Sequence, residues 1–222
     1  MAIVDGTGKI GQQVAQRHRS TRYLRAYTKP TTARTAKEIA SSNQHKAVVA
    51  LWKALSQANI KKWNQAAGNI LFVRAFQNKS NPSGYNLFMK LNRTLSVIGQ
   101  PTISVPPVVP VIKPIKSFSA VSSAGGHTLI LNFSPTVPTG TTYLVFASAN
   151  QSAARSYCSN AYRNIGYLAA GTTTGSNQYA AFNTYFGIGP VSGSKIFLYM
   201  VPVDNASGFR GLPIFTSVVV NP

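Results

Sequence analysis

Residues 99–116, GQPTISVPPVVPVIKPIK, hold five of the chain's 13 prolines. Proline fixes its own φ, withholds a backbone donor and pushes the preceding residue out of the α region. Neither a helix nor an interior strand runs through such a stretch, so it reads as a stiff, extended linker. It divides the chain into residues up to 98 and residues from 117 on, and the two parts differ in composition.

The difference is one of charge. The 222 residues carry 22 Lys and Arg against three Asp and Glu, a net charge of +19. Residues 1–116 hold 18 of the cations against Asp5 and Glu38, a net +16. Residues 117–222 hold Arg155, Arg163, Lys195 and Arg210 against Asp204, a net +3. Solubilising surfaces mix both signs. A one-signed half points to a polyanion, most often nucleic acid, whose counterions are released on binding. With 44% hydrophobic residues the chain has material for a real core, so it is not expected to be disordered.

The same arithmetic disfavours much enzyme chemistry. Three carboxylates leave little for paired acid and base work, for Mg²⁺ or Ca²⁺ cages, or for a carboxylate-oriented triad. His18, His45 and His127 are scattered, without zinc-ligand spacing. Cys158 stands alone and reads as a small buried hydrophobe. The expectation is no catalytic residue, no metal and no cofactor. The first residues hold no apolar run of signal-peptide length, and no stretch approaches the roughly 18 apolar residues of a membrane span. A protein made and used inside a cell, or inside something assembled there, is the expectation.

Four segments emerge: 1–30, 31–98, 99–116 and 117–222. In the first, Gly6, Gly8 and Gly11 punctuate the start and Pro30 closes it. The segment reads as a basic arm or a β-hairpin turning near Ser20 and Thr21. Arg17, Arg19, Arg22, Arg25 and Lys29 alternate with Tyr23 and Tyr27, a pattern that tracks phosphates and stacks on bases. Residues 31–98 read as a small helical domain. Cap candidates lie at Thr31 to Arg34, and one apolar stripe comprises Ile39, Val48, Val49, Trp52 and Leu55. Ser56 caps a second helix carrying Ile60, Trp63, Ala66 and Ala67. Ser83 caps a third, through about Ile98, with Tyr85, Phe88, Met89, Leu91 and Leu95 inward. Residues 69–80 fit either a strand or a helix extension. Arg34, Lys53, Lys61, Lys62, Arg74, Lys90 and Arg93 complete the candidate nucleic-acid-binding set.

Residues 117–222 read as all-β. SFSAVS, HTLILNF, TYLVFAS, a less regular 156–169, QYAAFNTYF, SKIFLYMVPV and LPIFTSVVV alternate with Gly-, Ser- and Asn-rich turns. Seven short strands at this spacing predict an antiparallel β-sandwich, with a jelly roll as the alternative if 69–80 adds a strand. The fold class expected for the whole chain is α+β.

Three resemblances accompany this pattern. The β region resembles a fibronectin type III or immunoglobulin-like module, which implies binding or spacing without catalysis. Trp52-Lys53-Ala54-Leu55-Ser56, Lys62-Trp63-Asn64-Gln65-Ala66-Ala67 and Ser83-Gly84-Tyr85-Asn86-Leu87-Phe88-Met89-Lys90 resemble the helices of an HMG box in permuted order. That resemblance makes Phe88 or Met89 the apolar wedge pushed into a minor groove. The layout as a whole resembles bacteriophage-type structural proteins: Gly8-Lys9-Ile10-Gly11, Tyr23 to Arg25 with Lys29-Pro30, the Trp-Lys and Trp-Asn helix pair, and the β-rich tail. It implies a virion component, assembled in the host cytoplasm and partnered by DNA or RNA and by copies of itself or other structural proteins. The alternatives are an HMG-like DNA-packing protein of the cytoplasm or nucleoid, and a surface adhesion module, which would use the five Asn-x-Ser/Thr sequons.

Overall fold

The computed structural model describes residues 33, 35–70, 81–158 and 161–222, and the backbone of residues 8–10, 13–18, 21–26, 72–73 and 79–80. The chain is α+β and divides into two units, residues 1–43 and 44–222.

In the first unit, strands β1 (Gly8–Ile10), β2 (Gln13–His18) and β3 (Thr21–Ala26) form an antiparallel sheet in that order. Helix α1 (Ala36–Lys53), whose residues from Gln44 on belong to the second unit, starts from a capping box. The Thr35 hydroxyl accepts from the Glu38 amide at 3.3 Å, and the Glu38 carboxylate accepts from the Thr35 amide at 2.9 Å. The cap therefore lies one residue past the expected Thr31–Arg34, because the box requires an acid three residues on and Glu38 alone supplies it. Ile39, expected on the apolar stripe, is 46% exposed.

In the second unit, α2 (Gln57–Gly68) and α3 (Gly84–Val97) start where the sequence places them. The Ser56 and Ser83 hydroxyls accept from the amides of Asn59 and Asn86. Trp63, Leu87, Phe88 and Leu91 form their common core with Val48 of α1. Gly84 permits the close crossing of α2 and α3: a Cβ there would meet the Asn64 backbone nitrogen at 2.7 Å and the Trp63 carbonyl carbon at 2.8 Å. Residues 69–80, ambiguous in sequence, contribute the two-residue strands β4 (Phe72–Val73) and β5 (Lys79–Ser80), paired antiparallel.

Residues 101–116 adopt no regular secondary structure, as their prolines require. They are stitched to the helices, however. The Trp63 indole donates to the Ser104 carbonyl at 2.9 Å, and the Asn92 side chain both accepts from and donates to the backbone of Ile103.

Beyond them lie two antiparallel sheets. One has the order β10–β7–β6, from β6 (Ser117–Ser123), β7 (Thr128–Ser134) and β10 (Ser176–Asn177). The other has the order β12–β11–β8–β9, from β8 (Thr141–Ala147), β9 (Arg163–Leu168), β11 (Lys195–Asp204) and β12 (Ile214–Val219). Leu129, Leu131, Tyr143, Val145, Ile196, Leu198 and Val218 share one hydrophobic cluster, so residues of both sheets meet in it. On the opposite face of β8 and β11, Leu144 and Val203 pack with Leu95 and Ile98 at the end of α3. Cover on both faces explains why β8 reads as a continuous apolar run rather than an alternation.

One expected strand is a helix. QYAAFNTYF forms α4 (Tyr179–Phe186), closed by Gly187 at φ +74°. Its aromatic content favours a strand, but Tyr179, Phe182 and Phe186 recur at helical spacing and Phe182 is fully buried. The two-residue β10 keeps the number of strands in the two sheets at seven.

Candidate nucleic-acid interface

The basic positions of the first unit sit in a paired ladder. The register of β2 and β3 sets Arg17 opposite Arg22, Gln16 opposite Tyr23 and Val14 opposite Arg25. Arg19, Tyr27, Lys29, Arg34 and Arg74 lie outside the described residues.

Among the helical candidates, Lys53 ends α1, where a cation complements the helix dipole. Lys61 and Lys62 are exposed on α2, beside the buried Trp63. Lys90 and Arg93 are exposed on α3, one turn apart. The fold adds to them a residue absent from the sequence-based set. Arg210, beyond β11, donates from Nε and Nη2 to the Thr94 hydroxyl at 3.2 and 3.1 Å. Thr94 in turn donates to the Lys90 carbonyl at 2.9 Å.

The Arg210 charge acts on Lys90, and the Arg93 charge acts on Arg210. The Lys90 ammonium is held below the usual lysine range, first by burial of part of the side chain and then by the Arg210 charge. The Arg210 guanidinium is lowered first by burial; Tyr199 opposes that shift and Arg93 adds to it. Three positive groups brought together in this way attract a phosphate or another anion. Arg210 escaped sequence reading because it lies in the nearly neutral half, 116 positions from Thr94. Only its place in a tight turn after β11 brings it to α3. In that turn the Asp204 carboxylate accepts from the Ser207 amide at 2.8 Å, and Gly208 lies against the Leu91 carbonyl.

The wedge expected from the HMG resemblance is not available. Phe88 is 1% exposed and Met89 is 7% exposed. Phe88 packs against both tryptophans, with ring centroids 5.2 Å from each. A wedge has to project from the surface; these side chains hold the helices together.

His127 sits in the turn between β6 and β7 at φ 48°, its ring edge-on to Tyr179 at 5.1 Å. Cys158 is buried. Among the described residues, no group of three His, Cys, Asp or Glu is placed to hold a metal ion, and no helix is long and apolar enough to cross a membrane. Comparisons with protein-family models, with curated proteins and with solved structures returned no match.

Proposed function

We propose that this chain is a non-enzymatic structural and assembly protein, a component of a virion of the phage capsid or capsid-associated kind, assembled in the cytoplasm of its host. Its basic N-terminal half lies along nucleic acid. Its two C-terminal sheets form an immunoglobulin-like sandwich whose surface makes contacts between subunits. The observation that carries this reading is the partition of charge, +16 over residues 1–116 against +3 over residues 117–222. A chain that repels itself this strongly assembles only where an anion neutralises it.

Two features support the division of labour. Arg17 and Arg22 are register partners in the β2–β3 ladder, so the backbone brings two basic positions together. In the second unit, Val108, Val111 and Leu212 are 90%, 98% and 77% exposed. Apolar side chains presented on a proline-stiffened segment lose little conformational entropy when a neighbouring subunit covers them.

The test is the absolute mass in solution by light scattering, on nuclease-treated protein and again after adding back nucleic acid. A particle, ring or filament of many subunits in either condition is expected. A 23.8 kDa monomer in both overturns the assembly reading. A second preparation with Arg17, Arg22 and Arg25 replaced by Gln should keep its folded sheets and lose assembly.

A further inference from the structure

Among the described residues, helix α3 covers one end of the outer face of the four-stranded sheet. Leu95 and Ile98 of α3 lie over Leu144 and Val203. Toward the Lys195 end, the same face opens into a groove of about 840 Å³ between the segment around Tyr157 and β12. Its floor is a row of aromatic rings. Tyr199 on β11 pairs with Phe146 on β8 and with Phe215 on β12. The Phe146 and Tyr199 rings stack at 4.4 Å and 3°, and Phe215 follows at 5.3 Å. Tyr162 stands edge-on to Tyr199 at 4.8 Å. Tyr157 and Phe215 remain 70% and 59% exposed.

The charge around this groove is one-signed. Three of the four cations of residues 117–222 contact residues that line it. Arg155 donates to the Tyr157 carbonyl at 2.7 Å, and Arg163 to the Tyr162 carbonyl at 2.9 Å. The Lys195 ammonium lies 5.3 Å from the Phe197 ring centroid. The Arg210 charge acts on the Tyr199 phenol. Asp204, the one carboxylate of this half, sits at the far end of β11 and is engaged by the amide and hydroxyl of Ser207.

We propose that this groove binds single-stranded nucleic acid, with an unpaired base stacked on the exposed rings of Phe215 and Tyr157 and flanking phosphates held by Arg155 and Lys195. Flat rings beside cations, with no available carboxylate, match an anion that carries its own aromatic faces. A duplex keeps those faces inside its stack. A second copy of this chain brings positive charge to a positive rim. An acidic peptide brings the charge without the rings. None of the groove's lining residues belongs to residues 1–116, and the proposal stands whether or not the chain assembles.

The test is photocrosslinking of the full-length, nuclease-treated protein to a short oligonucleotide containing 5-iodouracil, with the modified peptides mapped by mass spectrometry. Crosslinks at Tyr157, Tyr162 or Phe215 are expected, and an unlabelled duplex of equal length should not suppress them. Phe215→Ala and Tyr157→Ala, each checked for an unchanged thermal transition, should remove those crosslinks and weaken binding at the groove by about tenfold. Crosslinks confined to residues 9–29, or suppression by the duplex, overturn the proposal. The variant with Arg17, Arg22 and Arg25 replaced by Gln should lose overall affinity and keep the groove crosslinks. Failure at the groove is thereby distinct from failure of the N-terminal interface.

Discussion

The side chain of Asn92 holds the backbone of Ile103 from both sides. Its Oδ1 accepts from the Ile103 amide at 2.7 Å, and its Nδ2 donates to the Ile103 carbonyl at 3.2 Å. Nδ2 also reaches the Phe88 carbonyl at 3.2 Å, and the residue is fully buried. A proline-rich segment cannot pair with itself, so a side chain on α3 supplies the partners it lacks. Asn92→Leu leaves a buried donor and a buried acceptor unmet, and should cost about 3 kcal/mol in urea unfolding. A loss below about 1 kcal/mol would show that the segment finds other partners.

Gly208 joins the turn after β11 to α3. Its φ is +74°, and a Cβ would lie 2.5 Å from the Leu91 carbonyl oxygen and 3.0 Å from Leu95 Cγ. Gly208→Ala combines left-handed backbone strain with a clash against the backbone of a packed helix. We expect about 2 to 4 kcal/mol of destabilisation. We also expect weaker anion binding at Lys90 and Arg93, because Arg210 leaves its place. Gly140→Ala, with φ +76° and open space around it, should cost only the backbone strain, about 1 to 2 kcal/mol. Thermal unfolding of the two variants separates strain from clash.

The cations at Lys90, Arg93 and Arg210 oppose folding at low ionic strength. Because burial and Arg210 lower the Lys90 pKa, the folded state disfavours its charged form, and neutralising it should stabilise the protein. Lys90→Met, which keeps the apolar stem, should raise the melting temperature by about 1 to 3 °C in low salt. The gain should vanish near 0.5 M salt, where the Debye length is about 4 Å. An equal gain at both salt concentrations would assign it to packing instead.

Tyr143 is fully buried, and its hydroxyl meets no partner among the described residues. Tyr143→Phe should therefore be neutral or stabilising by up to about 1 kcal/mol. Burial also raises the pKa values of Tyr143, Tyr162 and Tyr199 above the usual 10.0. The folded protein keeps these phenolic protons to higher pH than the unfolded chain does. Their contribution is complete below the usual phenol range and is lost as pH rises through it. Stability should fall above pH 10, and less steeply in Tyr143→Phe, as measured by urea midpoints across that range.

Val108 and Val111, 90% and 98% exposed, separate assembly from folding. Replacing both with Ser removes apolar surface already in water, so the stability of the isolated chain should change by less than about 0.5 kcal/mol. If these side chains lie between subunits, the mass by light scattering falls. An unchanged particle would move the contact elsewhere, with Leu212 as the next position to test.

Much of the local structure was legible in the residues themselves. Ser56 and Ser83 start helices because a hydroxyl before an apolar period has one favourable use, meeting the orphan amides of the first turn. Strands β6, β7, β8, β11 and β12 follow the apolar runs between turn residues to within about two positions. Helix α4 was misread because aromatic enrichment and helical spacing conflict in QYAAFNTYF. The buried position of Phe182, supplied by both sheets, decides between them. The basic set on α3 was legible as far as Lys90 and Arg93. Arg210 was not, because a long-range contact leaves no trace in local spacing.

The sequence alone determined where α2, α3 and most of the strands lie, that the chain is α+β, and that its charge is divided between two halves. These follow from caps, proline geometry and composition, which act within a few residues. Tertiary structure decided which side chains meet. The order β12–β11–β8–β9 interleaves strands distant in the chain. Only that order sets Phe146, Tyr199 and Phe215 in one row across three strands. Strand order reflects the burial of both sheet faces at once, a property of the packed molecule that no single segment carries.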